Sequence, residues 1–322
     1  MRLSLVTAAI ATDFEDAGEG ANQQKRGFSA SPQLGILSLA GVLEQIGPPP
    51  SIVNLDQLYY RYLAECGSRG LQDFPQWVAP LIASTDAEIY GFSSICSSYP
   101  LTIRIAECLK RENPSCTILF GGPQASVVDL PTLAAFPFVD FILRGEAERS
   151  LPLFLEEWSG KRRFATVPGL SYRSSFGPVR NTDAPVIDDL DSLPLPAYHL
   201  TGDLEGAPYA PLELGRGCPF SCTFCSTNDF FRRKFRLKSP QHMLAEMRAI
   251  RSTYGIRIFE LTHDMFTVDR RRVVAFCRHL LESEERFGWA CSARTDCVDD
   301  ELLELMAAAG CTGIFFGVET GS

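Results

Sequence analysis

The feature that most constrains the fold is a repeated alternation of short apolar segments with segments of helical periodicity. In residues 1–158 the apolar segments include YGFSS at 90–94 and CTILFGG at 116–122. Between them, YPLTIRIAECLKREN at 99–113 carries its apolar side chains at helical spacing. Strands that alternate with helices of about 10–15 residues predict an α/β, doubly wound, Rossmann-like (flavodoxin-like) domain with a parallel sheet.

Small and polar residues stand where the predicted strands of this domain end. Ligands of open α/β sheets bind beyond the carboxyl ends of the strands. Glycines at such positions allow a large flat ligand to approach the backbone, although tight turns alone would also require them. The candidate ligand-binding residues of the first domain are Ser93, Ser94, Gly121, Gly122, Gly145 and Glu146.

A proline-rich stretch interrupts the alternation. Residues 161–209 contain repeated Pro, Gly and Asp, which predict a linker, with a small hairpin around GLSYRSSFGPVRN at 169–181. The linker separates a first domain, residues 1–160, from a second domain, residues 210–322.

The second domain repeats the strand and helix alternation. Ser239 is predicted to cap one helix and Gly255 to end it. Four strands are predicted, and the last, GIFFGVE at 313–319, has no helix after it. Because four parallel strands cannot close a barrel, we expect a fragment of a longer protein, with a short open sheet as the alternative.

Composition excludes several classes of protein. The net charge is −9, whereas nucleic-acid-binding domains usually present a basic face. No stretch is apolar over the 18 or more residues that a membrane helix requires. Eleven cysteines without a secretory signal predict a reducing, cytoplasmic location, where clustered cysteines bind metals more often than they form disulfides.

Three cysteines fall within eight residues of GRGCPFSCTFCST, residues 215–227, directly after the first strand of the second domain. They are Cys218, Cys222 and Cys225. Structural zinc would need a fourth ligand, and neither His199 nor His242 lies at the short spacing of zinc modules. An iron–sulfur cluster held by three cysteines would leave one iron free to bind another group.

This motif and its position resemble the radical S-adenosylmethionine (radical SAM) enzymes. The resemblance implies a partial (β/α)6 barrel, apparently truncated after the fourth strand, in which Cys218, Cys222 and Cys225 hold a [4Fe–4S] cluster. The open iron would bind SAM, whose reductive cleavage yields a 5′-deoxyadenosyl radical. Phe224 would then lie beside the adenine of SAM.

Further SAM contacts are implied at the ends of the later strands. FELTHDMFTVD at 259–269 supplies Thr262, His263 and Asp264, although the Gly-Gly-Glu sequence of the family is absent here. Arg294 ends the third strand and could pair with a carboxylate of the substrate or of SAM, with a structural ion pair as the alternative. Glu319 ends the fourth strand and would face the SAM site.

The first domain resembles the cobalamin-binding domain of cobalamin-dependent radical SAM enzymes. The matching segments are YGFSS (90–94), LFGGPQAS (119–126), LRGEAE (143–148) and DDLDSLPLPAYHL (188–200). Residues 1–198 contain no histidine, so this domain cannot supply an imidazole below the cobalt. A bound cobalamin would have a lower face that is open, bound to water or met by another side chain.

The function predicted from these features is a cobalamin-dependent radical SAM methyltransferase, which is an enzyme. It would act on a small molecule or a peptide and would take electrons from a partner such as flavodoxin or ferredoxin. One alternative is a radical SAM cyclase, a rearrangement enzyme or a peptide-modifying enzyme with a vestigial cobalamin domain. Another is a non-catalytic, metal-stabilised binding protein.

Overall fold

The computed structural model of the chain describes residues 1–10, 33–66, 72–263 and 265–318. It consists of two compact units, Met1–Val186 and Ile187–Ser322. The division falls within the predicted linker. Among the described helices, none is both long and apolar enough to cross a lipid bilayer.

The described part of the first unit contains a mixed seven-stranded sheet. Its strands are β1 (Leu3–Val6), β2 (Ser51–Val53), β3 (Ile89–Ser93), β4 (Thr117–Gly121), β5 (Phe141–Leu143), β6 (Leu170–Ser174) and β7 (Gly177–Arg180). They lie in the order β2-β1-β3-β4-β5-β6-β7, and the first five are parallel. The order 2-1-3-4-5 is that of flavodoxin-like sheets, which confirms the predicted doubly wound α/β arrangement.

The hairpin predicted at 169–181 is present and belongs to this sheet. Strand β6 pairs antiparallel with β5, and β7 pairs antiparallel with β6, so the sheet is mixed and not wholly parallel. Asp129, which is buried, accepts hydrogen bonds from Ser171 of β6 and Arg180 of β7 and forms an ion pair with Arg144 after β5. These contacts attach the hairpin to the first unit.

Helices cover the sheet of the first unit. They are α1 (Leu34–Glu44), α2 (Leu55–Cys66), α3 (Phe74–Ala83), α4 (Tyr99–Glu112), α5 (Gly122–Val127), α6 (Asp129–Ala135) and α7 (Ser150–Ser159). Helices α2 and α3 were not predicted from the sequence. They are joined by aromatic contacts, among them Tyr59 with Phe74 at 5.2 Å between ring centres, and α3 contains Pro80.

The second unit has two sheets in its described part. Its strands are β8 (Ala210–Glu213), β9 (Gly215–Arg216), β10 (Arg236–Leu237), β11 (Ile258–Thr262), β12 (Gly288–Ala293) and β13 (Cys311–Phe316). Its helices are α8 (Thr227–Phe231), α9 (Pro240–Tyr254), α10 (Arg270–Glu282) and α11 (Asp300–Ala308).

Four of these strands form a parallel sheet in the order β8-β11-β12-β13, which is the chain order expected of consecutive βα units. The predicted helix signals are confirmed: the Ser239 side chain accepts from the His242 amide at 3.1 Å, and Gly255 ends α9 with a φ of 74°. One face of β11 is buried through Phe259 and Leu261, while the alternate residues are exposed. Truncation of the barrel after its fourth strand stays a prediction.

Candidate iron–sulfur and SAM site

The three cysteines lie on a loop closed at its base by a short ribbon. Strands β9 and β10 pair antiparallel, with Arg236 opposite Arg216 and Leu237 opposite Gly215. The loop 217–235 leaves the sheet after the carboxyl end of β8 and returns at β10. The predicted strand and loop arrangement is therefore present.

Two glycines allow the strands of this ribbon to come so close together. Gly217 has a φ of +81°, and a Cβ there would lie 2.0 Å from the Lys234 carbonyl oxygen. A Cβ on Gly215 would lie 2.2 Å from the Arg236 carbonyl oxygen. Any larger residue would force the ribbon apart, so the glycines flanking Arg216 set the base of the loop.

The cysteines differ in exposure along the loop. Cys218 is buried, Cys225 is half-buried and Cys222 is exposed. The Cys225 amide donates to the Cys222 carbonyl at 3.3 Å, which makes one tight turn between the last two cysteines.

The loop offers three thiol donors, one fewer than the four ligands of a structural zinc site. Among the described residues, no three His, Cys, Asp or Glu side chains converge where one metal ion could bind. Structural zinc requires four ligands about 2.0–2.3 Å from one centre. An iron–sulfur cluster instead distributes thiolates over separate iron atoms, and a loop with three cysteines outside any disulfide provides such ligands.

Two of the predicted SAM residues, Thr262 and His263, lie at the carboxyl end of strand β11. The parallel register sets Thr262 opposite Glu213 of β8, so the cysteine loop and the end of β11 share one sheet edge. Thr262 is exposed. His263 is buried, accepts the Met265 amide on Nδ1 at 2.9 Å and contacts Phe235 of the cysteine loop edge-on, at 5.3 Å between ring centres.

Of the other predicted SAM residues, the structure describes Arg294 and Phe224. Arg294 lies over Phe220 of the cysteine loop, with the guanidinium carbon 4.0 Å from the ring centre. Phe224 is 74% exposed, so its ring is accessible to a ligand. Asp264 and Glu319 lie outside the described residues.

Sequence reasoning missed the charged pairs around the loop. Arg216 makes a two-point ion pair with Glu213, at 2.9 and 3.2 Å. Lys238 and Glu246 form a buried pair, with Nζ 2.7 Å from Oε1. For Glu246 the sequence carries one local signal, the spacing of His242 and Glu246, which stand four residues apart on one helix. That spacing does not point to Lys238.

His242 extends this second pair. Its Nε2 lies 3.2 Å from the same Glu246 oxygen. Hydrogen bonding to Glu246 raises the pKa of His242, while desolvation and the nearby Lys238 charge act against that shift.

The candidate cobalamin residues of the first unit line the carboxyl ends of β3, β4 and β5. Ser94 is fully buried; its hydroxyl donates to the Gly121 carbonyl at 2.8 Å and accepts the Ala125 amide at 3.0 Å. Ser94 therefore braces two strand ends. Gly122 has a φ of +89°, and a Cβ there would lie 2.7 Å from the Ser94 carbonyl oxygen.

The same edge continues to β5. The Gly145 amide donates to the Ser126 hydroxyl at 3.0 Å, and an added Cβ on Gly145 would meet no atom within 4 Å. Ser93 is half-buried and Glu146 is buried. Hydrogen bonds of Ser94 and Ser126 thus stabilise this edge of the sheet, and there is open space beside Gly145.

The family is decided by the segment that contains this loop. Residues 212–322 match the family model of the radical SAM superfamily. This part of the chain belongs to the radical SAM superfamily. The match begins in β8, so the cysteine loop follows the first strand of the radical SAM domain.

Similar curated proteins include methyltransferases and cyclases. An uncharacterized methyltransferase of Pyrococcus horikoshii is 28% identical over 250 residues, covering 76% of this chain and 54% of that protein. An anaerobic magnesium-protoporphyrin IX monomethyl ester cyclase of Rubrivivax gelatinosus is 28% identical over 255 residues, covering 75% of this chain and 45% of the cyclase. The chain spans about half the length of these relatives.

A solved structure resembles both units. The cobalamin-dependent S-adenosylmethionine radical enzyme OxsB, with aqua-cobalamin and SAM bound, has a TM-score of 0.76 and 20% identity. The match covers 100% of this chain and 44% of OxsB. The likeness shows that a flavodoxin-like unit followed by the radical SAM domain is a fold shared with OxsB.

Proposed function

We infer that the chain is part of a cobalamin-dependent radical SAM methyltransferase. The observation that carries this inference is the three-cysteine loop at the carboxyl end of β8, inside a domain of the radical SAM superfamily. When bound, the [4Fe–4S] cluster supplies the electron for reductive SAM cleavage and cobalamin supplies a methyl carrier. Cys218, Cys222 and Cys225 are the cluster ligands.

The residues around the base of the loop orient it. Cys218 lies deepest, close to the ribbon that Gly217 keeps tight. His263 packs on Phe235 at the return of the loop. Because Nδ1 of His263 accepts the Met265 amide, the neutral imidazole holds its proton on Nε2. Nε2 is therefore a hydrogen-bond donor.

The first unit supports the cobalamin part of the proposal. Its sheet ends in Gly121, Gly122 and Gly145, and the edge is open beside Gly145. A flat macrocycle needs such access to the backbone. Residues 1–198 contain no histidine, so cobalamin would bind without an imidazole ligand from this unit.

Methyl transfer is favoured by the methyltransferase of P. horikoshii, while the cyclase of R. gelatinosus favours ring formation as a second candidate. Both would need a reductant such as flavodoxin or ferredoxin. Incubation with reductant, SAM and candidate substrates separates them. Methyl transfer releases S-adenosylhomocysteine besides 5′-deoxyadenosine, whereas ring formation releases 5′-deoxyadenosine without it.

Anaerobic reconstitution of the full chain with iron and sulfide tests the cluster. We expect a brown protein with an absorption band at about 400 nm, which is typical of iron–sulfur clusters. This band should bleach when dithionite is added. The C218A/C222A/C225A variant should stay colourless. A wild-type protein that binds zinc and no iron would contradict both the methyltransferase and the cyclase hypothesis. It would favour a metal-stabilised binding protein.

Cobalamin binding is tested at Gly121, whose backbone suits a larger residue. Its φ is −153°, and a Cβ there would meet only the Leu143 carbonyl oxygen, at an ordinary 3.6 Å. We expect Gly121→Val to fold but to lose cobalamin retained after gel filtration. Gly47→Val, where an added Cβ would meet no atom within 4 Å, is the matched control and should retain it. Equal retention of cobalamin by both variants would show that cobalamin does not bind at this edge.

A further inference from the structure

Arg294 follows strand β12 and lies against the cysteine loop. Its guanidinium carbon is 4.0 Å from the centre of the Phe220 ring, and Phe220 stands between Cys218 and Cys222 in the chain. An arginine within about 6 Å of an aromatic centre is attracted to the ring face. This contact attaches the end of β12 to the segment that carries the first two cysteines.

Asp296 fixes the orientation of this guanidinium. Arg294 Nε donates to Asp296 Oδ1 at 2.9 Å, and Nη2 donates to Oδ2 at 2.7 Å. Two parallel bonds hold the guanidinium in one plane. The Cys297 thiol also donates to Asp296 Oδ1, with sulfur and oxygen 3.5 Å apart.

These contacts limit what else Arg294 can bind. A guanidinium binds a carboxylate best through two parallel hydrogen bonds. Asp296 already occupies the edge of the guanidinium formed by Nε and Nη2. A SAM or substrate carboxylate would have to displace Asp296 or use another edge. The geometry therefore fits a side chain that holds the loop better than one kept free for a ligand.

We propose that Arg294 is a positioning residue for the iron–sulfur cluster, holding the cysteine loop through Phe220 and placing a positive charge beside the segment between Cys218 and Cys222. The inference rests on the proposed function, because it requires a cluster on this loop. The 4.0 Å contact between the guanidinium carbon and the Phe220 ring supports this placement.

The charge of Arg294 should affect the cluster in a direction that can be measured. Reduction adds one negative charge, so a nearby cation favours the reduced cluster and a nearby carboxylate disfavours it. Asp296 partly offsets the charge of Arg294. Removing Arg294 and removing the charge of Asp296 should therefore shift the reduction potential in opposite directions.

The test is an anaerobic redox titration of the reconstituted full chain without SAM, followed by electron paramagnetic resonance. For Arg294→Gln we expect a reduction equilibrium constant about tenfold lower, which is 59 mV more negative for one electron. For Asp296→Asn we expect a shift of the opposite sign. Arg248→Gln, which removes an arginine on helix α9, is the control and should leave the potential unchanged.

A third variant separates the charge of Arg294 from its packing. Arg294→Lys keeps the charge but loses the two-point geometry. We expect its potential to stay near that of the wild type, while amide hydrogens of residues 218–225 exchange faster in the cluster-free protein. If Arg294→Gln fails to bind iron, the reduction potentials of Arg294→Lys and Asp296→Asn are compared with that of the wild type instead.

The outcomes separate this inference from the proposed function. A wild-type chain without any cluster would overturn the proposed function itself. A cluster whose potential is the same in all variants would overturn the role of Arg294 while leaving the function intact. Unchanged potentials together with weaker SAM binding in Arg294→Gln would instead show a ligand-binding arginine.

Discussion

The buried ion pair next to the cysteine loop gives a prediction that can be worked out in detail. Lys238 and Glu246 are each only 2% exposed, and their charged atoms lie 2.7 Å apart. Lys238→Met keeps the apolar stem but leaves the Glu246 carboxylate buried without its cation. Breaking a buried pair from one side costs about 3–5 kcal/mol, a large part of the roughly 5–15 kcal/mol that stabilises a typical domain.

His242 makes this loss depend on pH. Its pKa is raised, first by its hydrogen bond to Glu246, and the Lys238 charge counteracts that rise. In Lys238→Met the pKa of His242 should rise further. A group whose pKa is raised by folding contributes stability that is complete below its unfolded pKa of about 6.5 and is lost as the pH rises through the folded value. The variant should therefore be less destabilised at about pH 5.5 than at about pH 8.5.

Urea unfolding followed by Trp289 fluorescence measures this effect. Trp289 is buried in the radical SAM domain, and replacing Trp77 and Trp158 by Phe makes it the only tryptophan of the chain. Lys238→Met/Glu246→Leu removes both charges and should recover most of the loss, since apolar replacement of a buried pair is often neutral or stabilising.

An exposed arginine provides the control for this experiment. Arg248→Met breaks a surface pair with Glu285 and should cost about 0–1 kcal/mol. The reasoning is refuted if Lys238→Met loses no more stability than Arg248→Met. It is also refuted if the loss is equal at the two pH values, because His242 would then not take over the role of Lys238.

Three further predictions concern the loop, the first sheet and a buried thiol. Gly217→Ala should lose most of the iron taken up on reconstitution, because its Cβ would lie 2.0 Å from a carbonyl oxygen, whereas Gly255→Ala should keep it. Asp129→Asn should expose the β6–β7 hairpin to limited proteolysis, at a cost of about 3–5 kcal/mol. Burial raises the pKa of the Cys277 thiol to about 12, so iodoacetamide at about pH 8 should label exposed Cys96 before Cys277, as measured by mass spectrometry.

Each of these three predictions has a control and a result that would contradict it. Gly217 and Gly255 share a left-handed backbone, which costs a non-glycine residue about 1–2 kcal/mol, so equal iron uptake would show that the ribbon tolerates a Cβ. For Asp129, burial raises the pKa, but hydrogen bonds from Arg180 and Ser171 hold it below its ordinary value. The stability it contributes is lost in acid, so a difference from wild type that persists in acid contradicts the ion-pair explanation. Rapid labelling of Cys277 in the native chain would contradict its burial.

The regular elements of the fold were predictable because they depend on local patterns. The helix Pro240–Tyr254 has its cap, its proline and its terminal glycine in sequence, and it forms as predicted. The position of the hairpin β6–β7 depends instead on Asp129, which is distant in the chain and meets Arg180 only in the folded unit. Local patterns do not encode such a pairing, so the stretch resembled a linker.

The candidate site divides in the same way. The proposed cluster ligands Cys218, Cys222 and Cys225 could be predicted because ligands of one cluster can lie close together in the chain. The contacts that support them join segments that are far apart in the chain, such as Phe220 with Arg294 and Phe235 with His263. From its place at a strand end, Arg294 was predicted to pair with a ligand carboxylate or, as the alternative, to form a structural ion pair. Its observed partner, Asp296, is two residues further on and could equally have faced away.

The supports of the cysteine loop are concentrated at its base, and this has a physical reason. Arg216 is paired with Glu213, Lys238 with Glu246, and Gly217 allows the ribbon to close, while Cys222 at the tip is exposed. A ligand loop binds a cofactor more tightly when its order is established before binding, because the entropy of ordering is then not lost on binding. Under the proposed function, however, the tip must stay accessible, since the cluster and SAM would have to reach it. A rigid base with an open tip satisfies both requirements, whereas a loop rigid throughout would exclude its own cofactor.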